Sequence, residues 1–234
     1  MRQPKVLWLF TVGAAFAALV AAQGNPSWKT KPPSQWDAND AKEILTDSPW
    51  TRSVELQQVA EQSPGARRES GDWDANIGPG VGIAGTGILG PLREHEALEH
   101  AHEKPDLGIV VIRWVSANPV RAAQAILAGS VSRAEDKDYY AIEVADLPVP
   151  KHWHPRELRG IAALRRNGKK DFRPSKVEVH RLGDDHLTIV YLFPRSTELT
   201  KSDRRIEFEA QIGELFVAQF FYPEQMQIGG QIEL

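Results

Sequence analysis

Apolar residues at helical spacing mark a short segment near the start of the chain. They follow Asp37, a good N-cap residue, and predict a helix from Ala38 to about Leu45, bracketed by Trp36 and Trp50. A helix this short is marginal by itself, so its apolar face needs a surface to pack against. Two surfaces stay open at this point: the protein's own domain, which amphipathic faces usually serve, or a partner.

The C-terminal half alternates strand-like and helix-like patterns. Runs of β-branched and aromatic residues predict strands, and spacing near 3.6 residues predicts helices. The predicted strands begin at Leu107, Asp138, Lys176, His186, Arg204 and Leu215. The predicted helices are 119–128, which ends before Gly129, and 155–167, which places Leu158, Ile161, Ala162 and Leu164 on one face and ends at Gly168.

Strict alternation along 204–212 adds detail to the last hairpin. It predicts that Ile206, Phe208, Ala210 and Ile212 face inward and that Arg205, Glu207, Glu209 and Gln211 face outward. Gly213-Glu214 then suits a two-residue type II′ turn. The order of elements predicts an α+β domain with a largely antiparallel sheet of about six strands and two helices. A β-sandwich with helical connections is the alternative.

The first residues predict export. Arg2 and Lys5 precede a continuous apolar run over 6–22, which ends in the small residues that signal peptidase accepts. We therefore predict a signal peptide over 1–22, with an uncleaved anchor as the alternative. The mature chain would comprise a Trp-bracketed helical segment (23–61), a Gly-rich and His/Glu-rich linker (62–106) and the α+β domain (107–234), with no transmembrane span after cleavage.

Composition narrows the classes of function. The chain has 234 residues, a formal charge of -3 and no cysteine. So small a charge gives no support for a nucleic-acid partner. A cysteine-free exported chain indicates a bacterial periplasm or the cell exterior, because exported proteins of higher cells usually carry disulfides. Thiol catalysis and cysteine-based zinc sites are excluded.

Several stretches occur in a fixed order along the chain: QWDANDAKEILTDSPW, a glycine-rich spacer, VIRWVSANPVRAA, YYAIEVADLP and YLFPR. This order resembles a group of exported bacterial proteins without an established activity, some of which are labelled GWxTD-domain proteins. The literal Gly-Trp-x-Thr-Asp is absent here, and the nearest text is Gly71-Asp72-Trp73-Asp74. The resemblance implies an exported bacterial protein and carries over no functional residue.

The glycine-rich spacer contains two matches to ligand-binding motifs. Gly80, Gly82 and Gly85 match the letters of a dinucleotide fingerprint, but no strand pattern precedes them, so no dinucleotide is expected. Residues 72–78 resemble the opening of a calcium loop, yet Ile77 and Ile83 stand where that loop needs Gly and Glu. Both stretches are interpreted as a linker.

Histidine and glutamate supply the candidate metal ligands. His95, Glu99 and His102 share one face of a helix, while His152 and His154 point to one side of an extended segment. Together they are the candidate ligands of a metal-dependent extracellular hydrolase. Ordinary Glu–His pairing on a solvated helix explains the first set better. The expectation is no cofactor, with zinc as the weak alternative.

A basic stretch supplies candidate contact residues in an otherwise acidic chain. It runs from Arg156 to Lys176, and Trp153 flanks it as an interfacial aromatic might. The candidate interaction residues are Trp36, Trp50, Trp153, Arg159, Arg166, Lys169 and Lys170. A solvated helix and turn is the alternative interpretation of the basic residues.

The leading hypothesis is an exported, non-enzymatic interaction protein that contacts the cell envelope or a protein partner. It rests on the two-part layout, in which residues 23–61 would be tethered by a flexible linker, and on the lack of a recognisable catalytic motif such as G-x-S-x-G. The metal-dependent hydrolase is the alternative.

Overall fold

The computed structural model describes residues 26–59, 107–129, 137–151, 153–196 and 198–234. The predicted signal peptide, the predicted linker and His152 lie outside the described residues. None of the helices within these ranges is long and apolar enough to cross a membrane.

Helices are few and short in the described part of the chain. They are α1 (Ser27–Thr30), a 3₁₀ turn (Pro33–Gln35), α2 (Ala38–Thr46), α3 (Asn118–Ala128) and α4 (Pro155–Leu158). The strands are β1 (Thr51–Glu55), β2 (Gln57–Gln58), β3 (Ile109–Trp114), β4 (Tyr139–Pro148), β5 (Ala162–Arg166), β6 (Lys176–Leu182), β7 (His186–Pro194), β8 (Ile206–Ile212), β9 (Leu215–Phe221), β10 (Gln227–Ile228) and β11 (Gln231–Ile232).

The strands form two main antiparallel sheets. Sheet A has the order β1-β3-β4-β7-β6, and sheet B has the order β2-β9-β8-β5, while β10 and β11 form a small hairpin. Strands outweigh helices, which confirms the predicted α+β class with a main sheet of about five or six strands. Gly213 has a φ of 59° and Glu214 has no positive φ, the combination that the predicted type II′ turn requires.

The hydrophobic core lies between the two sheets. Tyr191 and Phe193 of β7 meet Phe208 of β8 with ring centroids 5.4 Å and 6.3 Å apart, and Trp114 of β3 meets Phe221 of β9 at 5.2 Å. These residues point inward because side chains alternate along each strand. Sheet A therefore presents its other face outward, and that face is where the site described below is built.

The N-terminal segment is part of this core rather than a tethered arm. β1 pairs with β3 in sheet A, and β2 pairs with β9 in sheet B. Trp28, Trp36 and Trp50 are all buried in the shared core. The prediction that Trp36 and Trp50 contact a partner is therefore corrected, because the apolar face of α2 packs on the protein's own domain.

Local hydrogen bonds explain where α2 begins. Asp37 accepts from the backbone N–H groups of Asn39 and Asp40, and Asp40 accepts from the Asp37 N–H, which completes a capping box. Ser27 also donates to Asp40, and Lys31 Nζ lies 2.9 Å from its carboxylate. These hydrogen bonds lower the pKa of Asp40 to about 2.

The predicted helix 155–167 is wrong beyond its first turn. α4 ends at Leu158, and 162–166 forms β5, which pairs with β8. Helix propensity is a weak preference, and Gly160 weakens this helix by ~1 kcal/mol. Pairing with β8 instead sets Leu164 opposite Phe208 and buries both side chains.

The alternation along β8 correctly predicts which face of the strand each side chain occupies, but not how buried that side chain is. The predicted inward residues are buried, yet Glu209 and Gln211 are also almost wholly buried on the opposite face. β8 lies between β5 and β9, so neighbouring strands flank its outward side chains on both sides. Alternation determines which face a side chain occupies, and only the sheet determines what surrounds it.

Candidate functional site

A groove of about 1490 Å³ lies on the outer face of sheet A. Ala141, Val190 and Leu192 form an apolar floor on the central strands β4 and β7. α3 forms one side and β6 the other. Arg195, the segment 198–202 and the segment 230–234 close one end, so the site is assembled from three distant parts of the chain.

The amphipathicity of α3 determines which of its residues border the groove. Val120 and Ala123 are buried in the core. Asn118, Arg121 and Gln124, spaced three residues apart, lie on a different stripe and line the groove. Gly129 ends the helix in a left-handed conformation, as its sequence position predicts.

Hydrogen bonds hold the closed end of the groove in place. The Arg195 guanidinium lies 4.3 Å from the Tyr140 ring, donates to the carbonyl of Tyr139 and also donates to that of Leu234. The Tyr140 hydroxyl accepts from the Leu199 N–H at 3.0 Å. Lys201 Nζ, at 2.8 Å from the Gly230 carbonyl oxygen, ties the two closing segments together. This wall is thus held by contacts within the chain itself.

The groove offers charges of both signs above an apolar floor. Glu143 of β4, beside the apolar floor, pairs with Arg113 at 2.6 Å. On the β6 side, Lys176 pairs with Glu178 at 2.7 Å. Small-molecule pockets usually have volumes of about 300–1,000 Å³. A larger, open groove with mixed polarity suits an extended protein segment better than a small molecule.

Two of the predicted basic contact residues stabilise the fold. Asp203 is buried and accepts from Lys169 Nζ at 2.6 Å, from Arg166 at 3.4 Å and from the Thr200 N–H at 2.8 Å. Burial acts to raise the pKa of Asp203, but the hydrogen bonds and positive charges outweigh it and lower that pKa. The Arg166 guanidinium also lies 4.4 Å from the Phe172 ring. Arg166 is buried in this cluster, so the structure removes it from the candidate interaction residues, whereas Lys169 stays exposed beside Asp203.

The remaining candidates lie nearer the surface. Arg159 is exposed and donates to the carbonyl of Ser175, the residue before β6. Lys170 is exposed, and Trp153 is half-buried against the core. None of the three lines the groove. Arg159 contacts the residue before β6, an element that does line it.

The candidate metal ligands do not meet within the described residues. His154 is exposed and precedes α4 as its N-cap residue. His95, Glu99, His102 and His152 lie outside the described residues. No group of three or more His, Asp or Glu side chains suited to a metal ion occurs in the ranges that the structure describes. The zinc prediction stays untested.

Glu209 is a buried carboxylate that sequence reasoning placed at the surface. Burial raises its pKa to about 7, although Arg165 opposes the shift through a 2.9 Å ion pair. Its second carboxylate oxygen has no hydrogen-bond donor among the residues that the structure describes. Perturbed carboxylates often mark active sites. Glu209 lies on the outer face of sheet B and does not line the groove, so it adds nothing to this site.

Sequence reasoning missed the groove because no local signal marks it. Its lining residues come from 115–128, 137–143, 176–195, 198–202 and 230–234, and each looks like an ordinary surface residue of its own element. Comparisons with family models, with curated proteins and with solved structures give no match, so the resemblance to GWxTD-domain proteins stays a prediction.

Proposed function

We propose that this is an exported, non-enzymatic interaction protein that binds a segment of a protein partner in the groove on the outer face of sheet A. The observation that carries the proposal is the groove itself, with its volume of about 1490 Å³, its apolar floor and its rim of charges of both signs. Protein interfaces combine an apolar centre with a polar rim in this way.

The rigidity of the groove supports the same conclusion. Arg195, Tyr140 and Lys201 fix its closed end through hydrogen bonds within the chain. A preformed site loses less conformational entropy on binding than a flexible one does, which favours affinity. The N-terminal sequence predicts that the chain is exported, so the expected partner is a periplasmic, extracellular or envelope protein.

A substitution that fills the groove tests the proposal. Gln124→Trp places a large ring at the wall, while Leu127→Trp adds an equal ring at an exposed position of α3 that does not line the groove. Both variants would be crosslinked in intact cells of the source organism and purified under denaturing conditions. We expect Gln124→Trp to lower recovery of the dominant partner at least tenfold and Leu127→Trp to leave it unchanged.

The same preparations test export, since the recovered chain should begin at Gln23. Equal recovery of one partner by Gln124→Trp and the unmodified chain would place the contact elsewhere. If no form of the protein enriches any partner, the proposed function is refuted.

A further inference from the structure

β6 is the last strand of sheet A on the side of the groove. It pairs with β7 in a regular register from Lys176 to Leu182, and no strand of the described chain pairs with its other edge. Edge strands of this kind present backbone N–H and C=O groups on which a further strand can form. Seven residues correspond to about 20 Å of extended chain.

The side chains of β6 give an added strand an apolar centre. Val177 and Val179 are half-buried and pack against the core. Cross-strand neighbours stabilise each other when both are apolar, so residues of the added strand beside these valines should be apolar too. Leu182 at the end of β6 is 54% exposed and lies on the opposite face of the strand, which it shares with Lys176 and Glu178.

The charges at the two ends of β6 are basic. Arg159 donates to the carbonyl of Ser175, immediately before the strand, and Arg181 lies near the other end. No acidic side chain among the described residues pairs with either arginine. Glu178, the acidic residue of β6, already pairs with Lys176 at 2.7 Å and lies 3.7 Å from His180.

Charged side chains on an edge strand usually protect it from pairing with other chains. Protection in which positive charges predominate is selective, because it disfavours basic strands and favours acidic ones. The same arginines that keep β6 from indiscriminate pairing therefore define the partner that can pair.

We infer that β6 binds the partner by strand addition, and that the added segment is extended, apolar at alternate positions and acidic at its ends. The inference rests on the proposed function, because Lys176 and Glu178 of β6 line the same groove. Backbone hydrogen bonds would supply the affinity, and the valines and arginines the specificity.

Site-specific photocrosslinking in the full chain tests this inference. A photoreactive amino acid would replace His180 on β6, Gln124 in the groove or Arg204, an exposed residue outside β6 and the groove, in cells of the source organism. We expect position 180 to yield a crosslink to an acidic, extended segment of another protein, at least tenfold above position 204.

A synthetic copy of the crosslinked segment then provides the quantitative test. Its Kd would be measured against the unmodified chain, Arg181→Glu and the matched control Arg204→Glu, with thermal melts confirming that each variant is folded. We expect Arg181→Glu to weaken binding at least tenfold and Arg204→Glu to leave it unchanged. The amide hydrogens of 177–181 that face the open edge of β6 should exchange more slowly in the complex, and a peptide N-methylated along its pairing edge should not bind.

The outcomes separate the two proposals. Crosslinks from position 124 without any from position 180 would leave the proposed function standing and overturn strand addition. No crosslink from either position would refute both. A crosslink from position 180 to lipid, to a second copy of the chain or to a basic segment would also overturn the inference, as would binding without protection of the β6 amides.

Discussion

Two segments carry the residues that the sequence marks for contact, and the fold treats them differently. The N-terminal segment, 26–58, contributes three buried tryptophans and one strand to each sheet. The basic segment, 156–176, divides its charges between internal pairs with Asp203 or Glu209 and exposed positions such as Lys170.

The difference reflects the cost of leaving each kind of side chain in water. A tryptophan buries a large apolar area, so a segment that carries several is stabilised most by joining the core. A long basic side chain keeps its hydration at the surface and is buried only where a carboxylate compensates. The first segment should therefore control stability, and the exposed part of the second should contribute little to it.

The largest expected effect comes from the core tryptophan Trp50. It is 0% exposed, lies 5.5 Å from the Trp28 ring and donates through Nε1 to the carbonyl of Glu233 at 2.6 Å. We expect Trp50→Ala to lower the free energy of unfolding by roughly 3–5 kcal/mol. Lys170→Ala should change it by less than about 0.5 kcal/mol. Chemical denaturation measures both, and equal losses would abolish the contrast between the segments.

The next effect concerns Glu209, which Arg165 of the basic segment only partly compensates. Its folded pKa is raised to about 7, so folding favours the protonated form. This stabilisation is complete below the unfolded pKa and is lost as pH rises through about 7. We expect stability to fall by ~3 kcal/mol between pH 4.5 and pH 8 from this group.

Thermal melts across that range would show the decline. Glu209→Gln should remove it, while Glu157→Gln, at an exposed position on α4, should preserve it. A decline that survives Glu209→Gln would assign the dependence to another group.

The smallest effect comes from the cap of α2. Asp37→Ala removes the acceptor for the Asn39 and Asp40 N–H groups and should cost ~1 kcal/mol. Asp37→Asn keeps a side-chain oxygen and should cost much less. Denaturation curves that show no difference between the two would mean that the capping hydrogen bonds do not stabilise the N-terminal segment.

Local patterns sufficed for much of this architecture. The cap at Asp37, the turn at Gly213 and the two hairpins, β6–β7 and β8–β9, follow from spacing and turn chemistry. Both of these act over a few residues. The predicted helix over 155–167 failed because β8 offered a pairing partner distant in sequence. Burial of Glu209 was missed because alternation carries no information about neighbouring strands.

By itself the sequence determined the class of fold, most strands, the helix caps and the expectation of export, because each depends on residues close together in the chain. Only the tertiary structure decided that Trp36 and Trp50 belong to the core, that Arg166 and Lys169 serve Asp203, and that a groove exists at all. Those features depend on which distant segments pack together, and the hydrophobic driving force for that packing is non-directional. The neighbours that a side chain contacts are therefore determined only when the two sheets pack together.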